Sequence, residues 1–201
     1  MNAENEQNDK EIRILDAALA LFSRYGLKKT SIEDIAKTAG LGKGTIYLYF
    51  RSKEDIFEAV GRRFAAALNV ALRQEVEKVT GPAQKVHQYI LTRFHFVYDV
   101  IKTNGLTAEI FDEASSSSAM ARVRDHFGAE QIALLQGIIE EGVAAGDFST
   151  SNPEVSALAI FVAMDCLEKP WVCQGRELNL HDKVQALVEL YLVGLKKRPE
   201  A

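Results

Sequence analysis

The sequence predicts an all-α protein of about nine helices. Apolar residues recur at helical three-and-four spacing along nearly the whole chain, and no segment alternates polar and apolar residues far enough to make a strand. Glycine, proline and capping residues punctuate the periodic runs, and no internal repeat accompanies them.

Ile12, Leu15, Leu19 and Phe22 form a first stripe that stops at Tyr25-Gly26, where glycine supplies a helix end. Thr30-Ser31 offers an N-cap, with Glu33 and Asp34 in the first turn, for a short helix through Ile35 and Ala36 to Gly40. A third short helix spans Lys43 to Phe50. After Arg51-Ser52 a long helix carries Ile56, Val60, Phe64, Leu68, Leu72 and Val79 until Gly81-Pro82 breaks it. Val86, Ile90, Phe94, Val97 and Ile101 mark the next, closed by Asn104-Gly105, and a short helix follows around Ala108 to Glu113. The tetraserine Ser115 to Ser118 reads as loop and helix start, ahead of a long helix through Ile132, Leu135, Ile139 and Val143 to Gly146. Asn152-Pro153 opens the penultimate helix with proline at its first position, and Asn179 to Asp182 resembles a capping box before the last.

A 201-residue chain with 47% hydrophobic residues has ample material for a packed core in one or two domains. The opening MNAENEQNDKE is acidic and polar where a signal peptide is basic and then apolar. No run reaches the roughly 18 apolar residues that span a bilayer, so a cytoplasmic chain without a membrane segment is expected. Cys166 and Cys173 flank Pro170 without a histidine at metal-ligand spacing, and His87, His95, His126 and His181 are scattered. No metal or other cofactor is therefore expected. With no Gly-rich phosphate loop after a strand and no Ser/His/Asp or Cys/His set, the chain does not read as an enzyme.

The net charge of −4 argues against a protein that coats nucleic acid indiscriminately, but it is unevenly spread: residues 10–63 carry net +4, residues 1–9 carry −3 and residues 64–201 carry −5. A basic N-terminal unit on an acidic body suits a local polyanion-binding surface. Within it lies GLGKGTIYLYFRSKEDIF, Gly40 to Phe57, which combines helical apolar spacing at Ile46 and Phe50 with two glycines at the start of a short helix. Helix, tight turn and helix between Ser31 and Phe50 have the dimensions of a helix-turn-helix, whose second helix enters the DNA major groove. Little bulk at Gly42 and Gly44 lets the helix start approach a duplex closely. Lys43 and Thr45 are candidates for base readout, and Tyr47, Tyr49, Lys53 and the capping Ser31 for phosphate contact. The expected division is a frayed arm at 1–9, a DNA-binding domain at 10–53 and a ligand-binding and dimerisation domain at 54–201.

From Val155 to Met164 Ser156 alone is polar, and the last helix carries more apolar residues than one buried face needs. A second copy of the chain offering the same two helices would cover the surplus as a four-helix interface. The interface expected from this pattern comprises Val155, Leu158, Phe161, Val162, Val184, Leu187, Val188, Tyr191 and Leu195. Two central helices in a monomer would account for the same composition.

The run TSIEDIAKTAGLGKGTIYLYFRSKEDIF, Thr30 to Phe57, closely resembles the N-terminal DNA-binding domain of TetR-family transcriptional regulators. The resemblance covers Lys10 to about Phe64, and it places DNA contacts on Ser31, Lys43, Gly44, Thr45, Tyr47, Tyr49 and Lys53. Gly42 departs from the family pattern, since many members cap the recognition helix with serine there; glycine costs a few tenths of a kcal/mol relative to serine. What the resemblance implies is a homodimer on a pseudo-palindromic operator, usually a repressor, released by a small apolar or amphipathic molecule in the C-terminal domain. The helix starting at Lys53 would be the lever between the two sites. Candidate pocket walls are Phe64, Phe94, Tyr98, Phe111, Met164 and Trp171, residue types that are more often core than ligand wall. A DNA-bound interaction protein of the nucleoid-occlusion kind, with a protein partner in place of an effector, is the competing expectation.

Overall fold

The computed structural model describes residues 3–167 and 180–195. Among them nine helices succeed one another: α1 Ala3–Lys29, α2 Ile32–Ala39, α3 Lys43–Tyr49, α4 Lys53–Glu77, α5 Pro82–Asn104, α6 Ala108–Ser115, α7 Ser118–Ala144, α8 Pro153–Leu167 and α9 Leu180–Leu195. The other expected breaks fall between helices, but at Tyr25-Gly26 α1 only kinks, at Gly26, and runs on to Lys29. Asn152 caps α8 by accepting the Val155 N–H at 3.1 Å, with Pro153 at the first helical position. Asn179, expected to cap the last helix, lies outside the described residues, as do Trp171 and Cys173.

The chain divides into two compact units, Met1–Ala65 with Val100–Asp125, and Ala66–Asp99 with His126–Ala201. The division therefore falls inside α4 and not at residue 53. The reason is packing: Ile56, Phe57 and Val60 at the start of α4 are buried with Ile14, Ala18 and Phe22 of α1, Ile35 of α2 and Ile46 of α3. The Phe22 and Phe57 rings meet edge to face, 5.1 Å between centroids. Residues 3–9, expected as a frayed arm, continue α1. Ile14 is fully buried while Ile12, placed in the stripe by its spacing, is exposed.

The second unit packs Leu68 and Leu72 of α4, Tyr89, Ile90 and Phe94 of α5, Leu135 and Ile139 of α7, Ile160 and Met164 of α8, and Val184 and Leu187 of α9. A polar thread crosses this core. Arg93 Nη1 donates to Gln131 Oε1 at 2.9 Å, and Gln131 Nε2 donates to Asn69 Oδ1 at 2.8 Å. The Arg93 guanidinium stacks on the Phe161 ring at 4.5 Å and lies 3.7 Å from Asp165. Such groups are tolerated in a core because they satisfy one another.

Four residues expected at a dimer interface are corrected here. Val184, Leu187, Val188 and Leu195 are buried in the chain's own core. Phe161 and Tyr191 are half-buried, the Tyr191 hydroxyl donating to the Ala159 carbonyl at 3.1 Å. Among the described residues of α8 and α9, the large apolar side chains left exposed are Val155, Leu158, Val162, Leu190 and Val193.

After α7 the chain folds back so that Phe148, nearly fully buried, covers Gly142; a Cβ at Gly142 would overlap that ring. Gly142→Ala is therefore expected to cost about 1–3 kcal/mol by overpacking, read as a lower urea midpoint with an unchanged slope.

Candidate nucleic-acid interface

At seven residues α3 is too short to persist alone. It is held by Ile46, fully buried, and by its C-cap Phe50, whose N–H donates to the Ile46 carbonyl at 2.9 Å. The preceding helix is fixed by a capping box: the Asp34 N–H donates to Ser31 Oγ at 3.2 Å, and the Ser31 N–H and hydroxyl donate to Asp34 Oδ2 at 3.3 and 2.6 Å. The far end of α2 is tied to α1, since Arg13 Nη2 donates to the carbonyls of Ala39 at 2.5 Å and Gly40 at 3.3 Å. Both ends of α2 and the turn into α3 are thus specified by side chains.

This scaffold presents Lys43, Gly44, Tyr47 and Leu48 outward, the positions one turn apart that avoid the buried Ile46 and Phe50. Thr45 and Tyr49 flank that face half-buried, Ser31 stands at the start of α2, and Lys53 at the start of α4. Of the seven expected contact residues, the structure gathers Lys43, Gly44 and Tyr47 on one face of α3 with Thr45 and Tyr49 beside it, while Ser31 and Lys53 belong to other helices. The Ser31 hydroxyl is already committed to Asp34, so it must turn away before donating to a phosphate.

Gly44 has no neighbour within 4 Å of where a Cβ would stand. The unit's own packing does not require glycine there, although glycine in a helix costs about 0.5–1 kcal/mol relative to alanine.

Three contributors escaped the sequence. Glu33 accepts a hydrogen bond from Lys43, which also sits 5.9 Å from the Tyr47 ring centroid. The Lys43 hydrogen bond holds the Glu33 carboxyl below its usual range, and Glu33 in turn raises the Lys43 ammonium. The pair is exposed and therefore screened by salt. No periodicity links positions on two different helices, so the pair was not legible. Leu48, 84% exposed, could have been found, because it falls off the Ile46/Phe50 stripe; on the outward face it suits contact with a thymine methyl. Arg13 gave no signal, since its acceptors are backbone carbonyls.

The expected pocket walls are found in different places of the two units. Phe94 and Met164 are core residues of the second unit, Tyr98 is exposed, Phe64 and Phe111 belong to the first unit, and Trp171 is outside the described residues. A cleft of ≈ 640 Å³ in the second unit is lined instead by residues that include Val76, Val79, Leu134 and Ile138, with the ion pair of Lys85 and Glu141 at 2.6 Å among them. Among the described residues no cluster of His, Cys, Asp and Glu could hold a metal ion, and no helix is long and apolar enough to cross a membrane.

A capped helix, a side-chain-locked turn and a short helix with a bare outward tip define a helix-turn-helix protein. Residues 14–60 match the family described as bacterial regulatory proteins, tetR family, and residues 82–188 match the tetracyclin repressor-like C-terminal domain. The chain is 28% identical over 187 residues to the uncharacterized HTH-type transcriptional regulator YhgD of Bacillus subtilis, covering 92% of this chain and 95% of that one. It is 31% identical over 138 residues to the HTH-type transcriptional repressor KstR2 of Mycolicibacterium smegmatis, 67% of this chain and 65% of the other. Its fold is similar to that of the transcriptional regulator FadR from Bacillus subtilis, solved in complex with stearoyl-CoA, with a TM-score of 0.75 at 22% identity, over 91% of this chain and 98% of that one. The chain belongs to the tetR family and is a DNA-binding transcriptional regulator.

Gly44→Ala separates folding from binding. It is expected to raise stability by up to about 1 kcal/mol, seen as a higher thermal midpoint, while weakening duplex affinity in a mobility-shift titration.

Proposed function

We propose that the chain is a homodimeric repressor that grips a pseudo-palindromic operator with a pair of α3 helices and is released by an amphipathic small molecule held in its second unit. Base readout falls to Lys43 and Thr45, phosphate contact to Ser31, Tyr47, Tyr49 and Lys53, and close approach to Gly44. The observation that carries the dimer is the apolar stripe left in water on α8, where Val155, Leu158 and Val162 are 57%, 46% and 50% exposed, beside Leu190 and Val193 of α9 at 69% and 72%. A second copy offering the same stripe covers it symmetrically. Two such copies suit half-sites one DNA turn, about 34 Å, apart.

The repressor sense is supported by the printed function of KstR2, and the effector class by the stearoyl-CoA bound to FadR. α4 runs unbroken from Lys53 into the second unit. An effector acts on the DNA contacts along it to the extent that it binds the released state more tightly than the gripping one.

Leu158→Glu tests the dimer. The variant is expected to sediment as a folded single subunit and to bind a duplex, selected by the wild-type chain from a randomised library, about 100-fold more weakly through lost bivalency; a dimer with intact affinity contradicts the interface. Stearoyl-CoA tests the effector class. At a hundredfold excess over its Kd it is expected to stabilise the chain by about 2.7 kcal/mol in a thermal melt and to release that duplex; no shift and no release remove long-chain acyl thioesters as effectors.

A further inference from the structure

α1 is interrupted at Gly26, whose φ of 78° and ψ of 169° lie outside the helical region. A helix that restarts after such a kink leaves its first N–H groups without partners. One of them is met from elsewhere in the unit: the Lys28 N–H donates to Glu113 Oε1 of α6 at 3.0 Å. The fit is close, since a Cβ at Gly26 would stand 3.0 Å from Glu113 Oε2, and Gly26 alone leaves that space to the carboxylate. The same short segment anchors the duplex-facing groups. The Lys28 carbonyl accepts from Lys53 Nζ at 3.4 Å, the buried Thr30 hydroxyl donates to the Gly26 carbonyl at 2.8 Å, and Ser31, the cap of α2, follows directly.

We infer that Glu113 is a positioning residue for duplex binding: its carboxylate fixes the Lys28 peptide, and through that peptide it sets Lys53 and the start of α2. The inference rests on the reading of Lys53 as a phosphate contact. Its signature is a sign. A carboxylate on a duplex-binding unit repels phosphates, so deleting one that acts by charge alone tightens binding. Deleting one that holds the binding groups in place loosens it.

The test uses the full-length chain, a duplex selected by it from a randomised library, and titrations over a range of salt. Glu113→Ala is expected to weaken binding about tenfold, the scale of one charged hydrogen bond, and Glu113→Gln, whose amide oxygen still accepts from Lys28, to retain affinity within about threefold. Both remove the same charge, so their difference isolates the acceptor. Lys53→Ala is expected to lower the salt slope by about 0.9, and combined with Glu113→Ala to weaken binding by less than the product of the two single effects. Binding by Glu113→Ala as tight as wild type, equal behaviour of the Ala and Gln variants, or multiplicative effects would each overturn the inference. An unchanged slope in Lys53→Ala overturns the reading of Lys53 and the inference with it, whereas a lowered slope beside an unweakened Glu113→Ala overturns the inference alone. If Glu113→Ala does not fold, Glu113→Leu fills the same volume without an acceptor and takes its place.

Discussion

The function of this chain depends on a helix that cannot exist by itself. α3 spans seven residues, opens on glycine without a side-chain cap, and carries another glycine in its first turn. Propensity and capping both oppose it, and helix formation at that length is unfavourable in water. The burial of Ile46 and Phe50 among Ile14, Ile35 and Ile56 supplies what the local sequence withholds. That division of labour frees the outward face: stability comes from one side of the helix, so the other can be bare at Gly44, cationic at Lys43 and apolar at Leu48. The same economy recurs in the turn, where Arg13 serves the Ala39 and Gly40 carbonyls.

The second unit solves a different problem. Its core contains a charged residue, Arg93, made tolerable by Gln131, Asp165 and the face of Phe161. Removing any of the three would leave a buried charge short of compensation, which costs far more than an exposed pair is worth. On the outside of the same unit, α8 and α9 keep apolar residues in water. Among the described residues no buried side-chain polar atom lacks a partner, whereas this outer stripe of α8 and α9 stays exposed.

The helices were legible because helical periodicity and helix punctuation are local: Ser31 with Asp34, Asn152 with Pro153, and the glycines that follow α2, α5 and α7 need no knowledge of distant residues. The positions of Lys43 and Tyr47 on a common face followed from spacing alone. Expectations failed where two segments had to be matched in space. Val184, Leu187, Val188 and Leu195 were expected at a surface because apolar count does not say which side of a helix faces inward, and in α9 that side is the chain's own core. Phe94 and Met164 were expected to line a cavity, yet an aromatic or thioether side chain fills a core as readily as it walls one. Residue 53 was taken as a boundary because a helix begins there, but Ile56, Phe57 and Val60 pack backward into the first unit.

By itself the sequence determined the all-helical class, the order of the elements, the basic character of residues 10–63 and the short, glycine-lightened helix within them. Each of these is carried by residues close together in the chain, whose relation a repeat of 3.6 residues fixes. The tertiary structure decided which apolar stripe is core and which is left in water, that Glu33 holds Lys43, that Arg13 locks the turn, and that Glu113 serves a peptide 85 positions away. Those pairings join groups with no fixed separation along the chain, and backbone acceptors have no residue type by which a sequence could announce them.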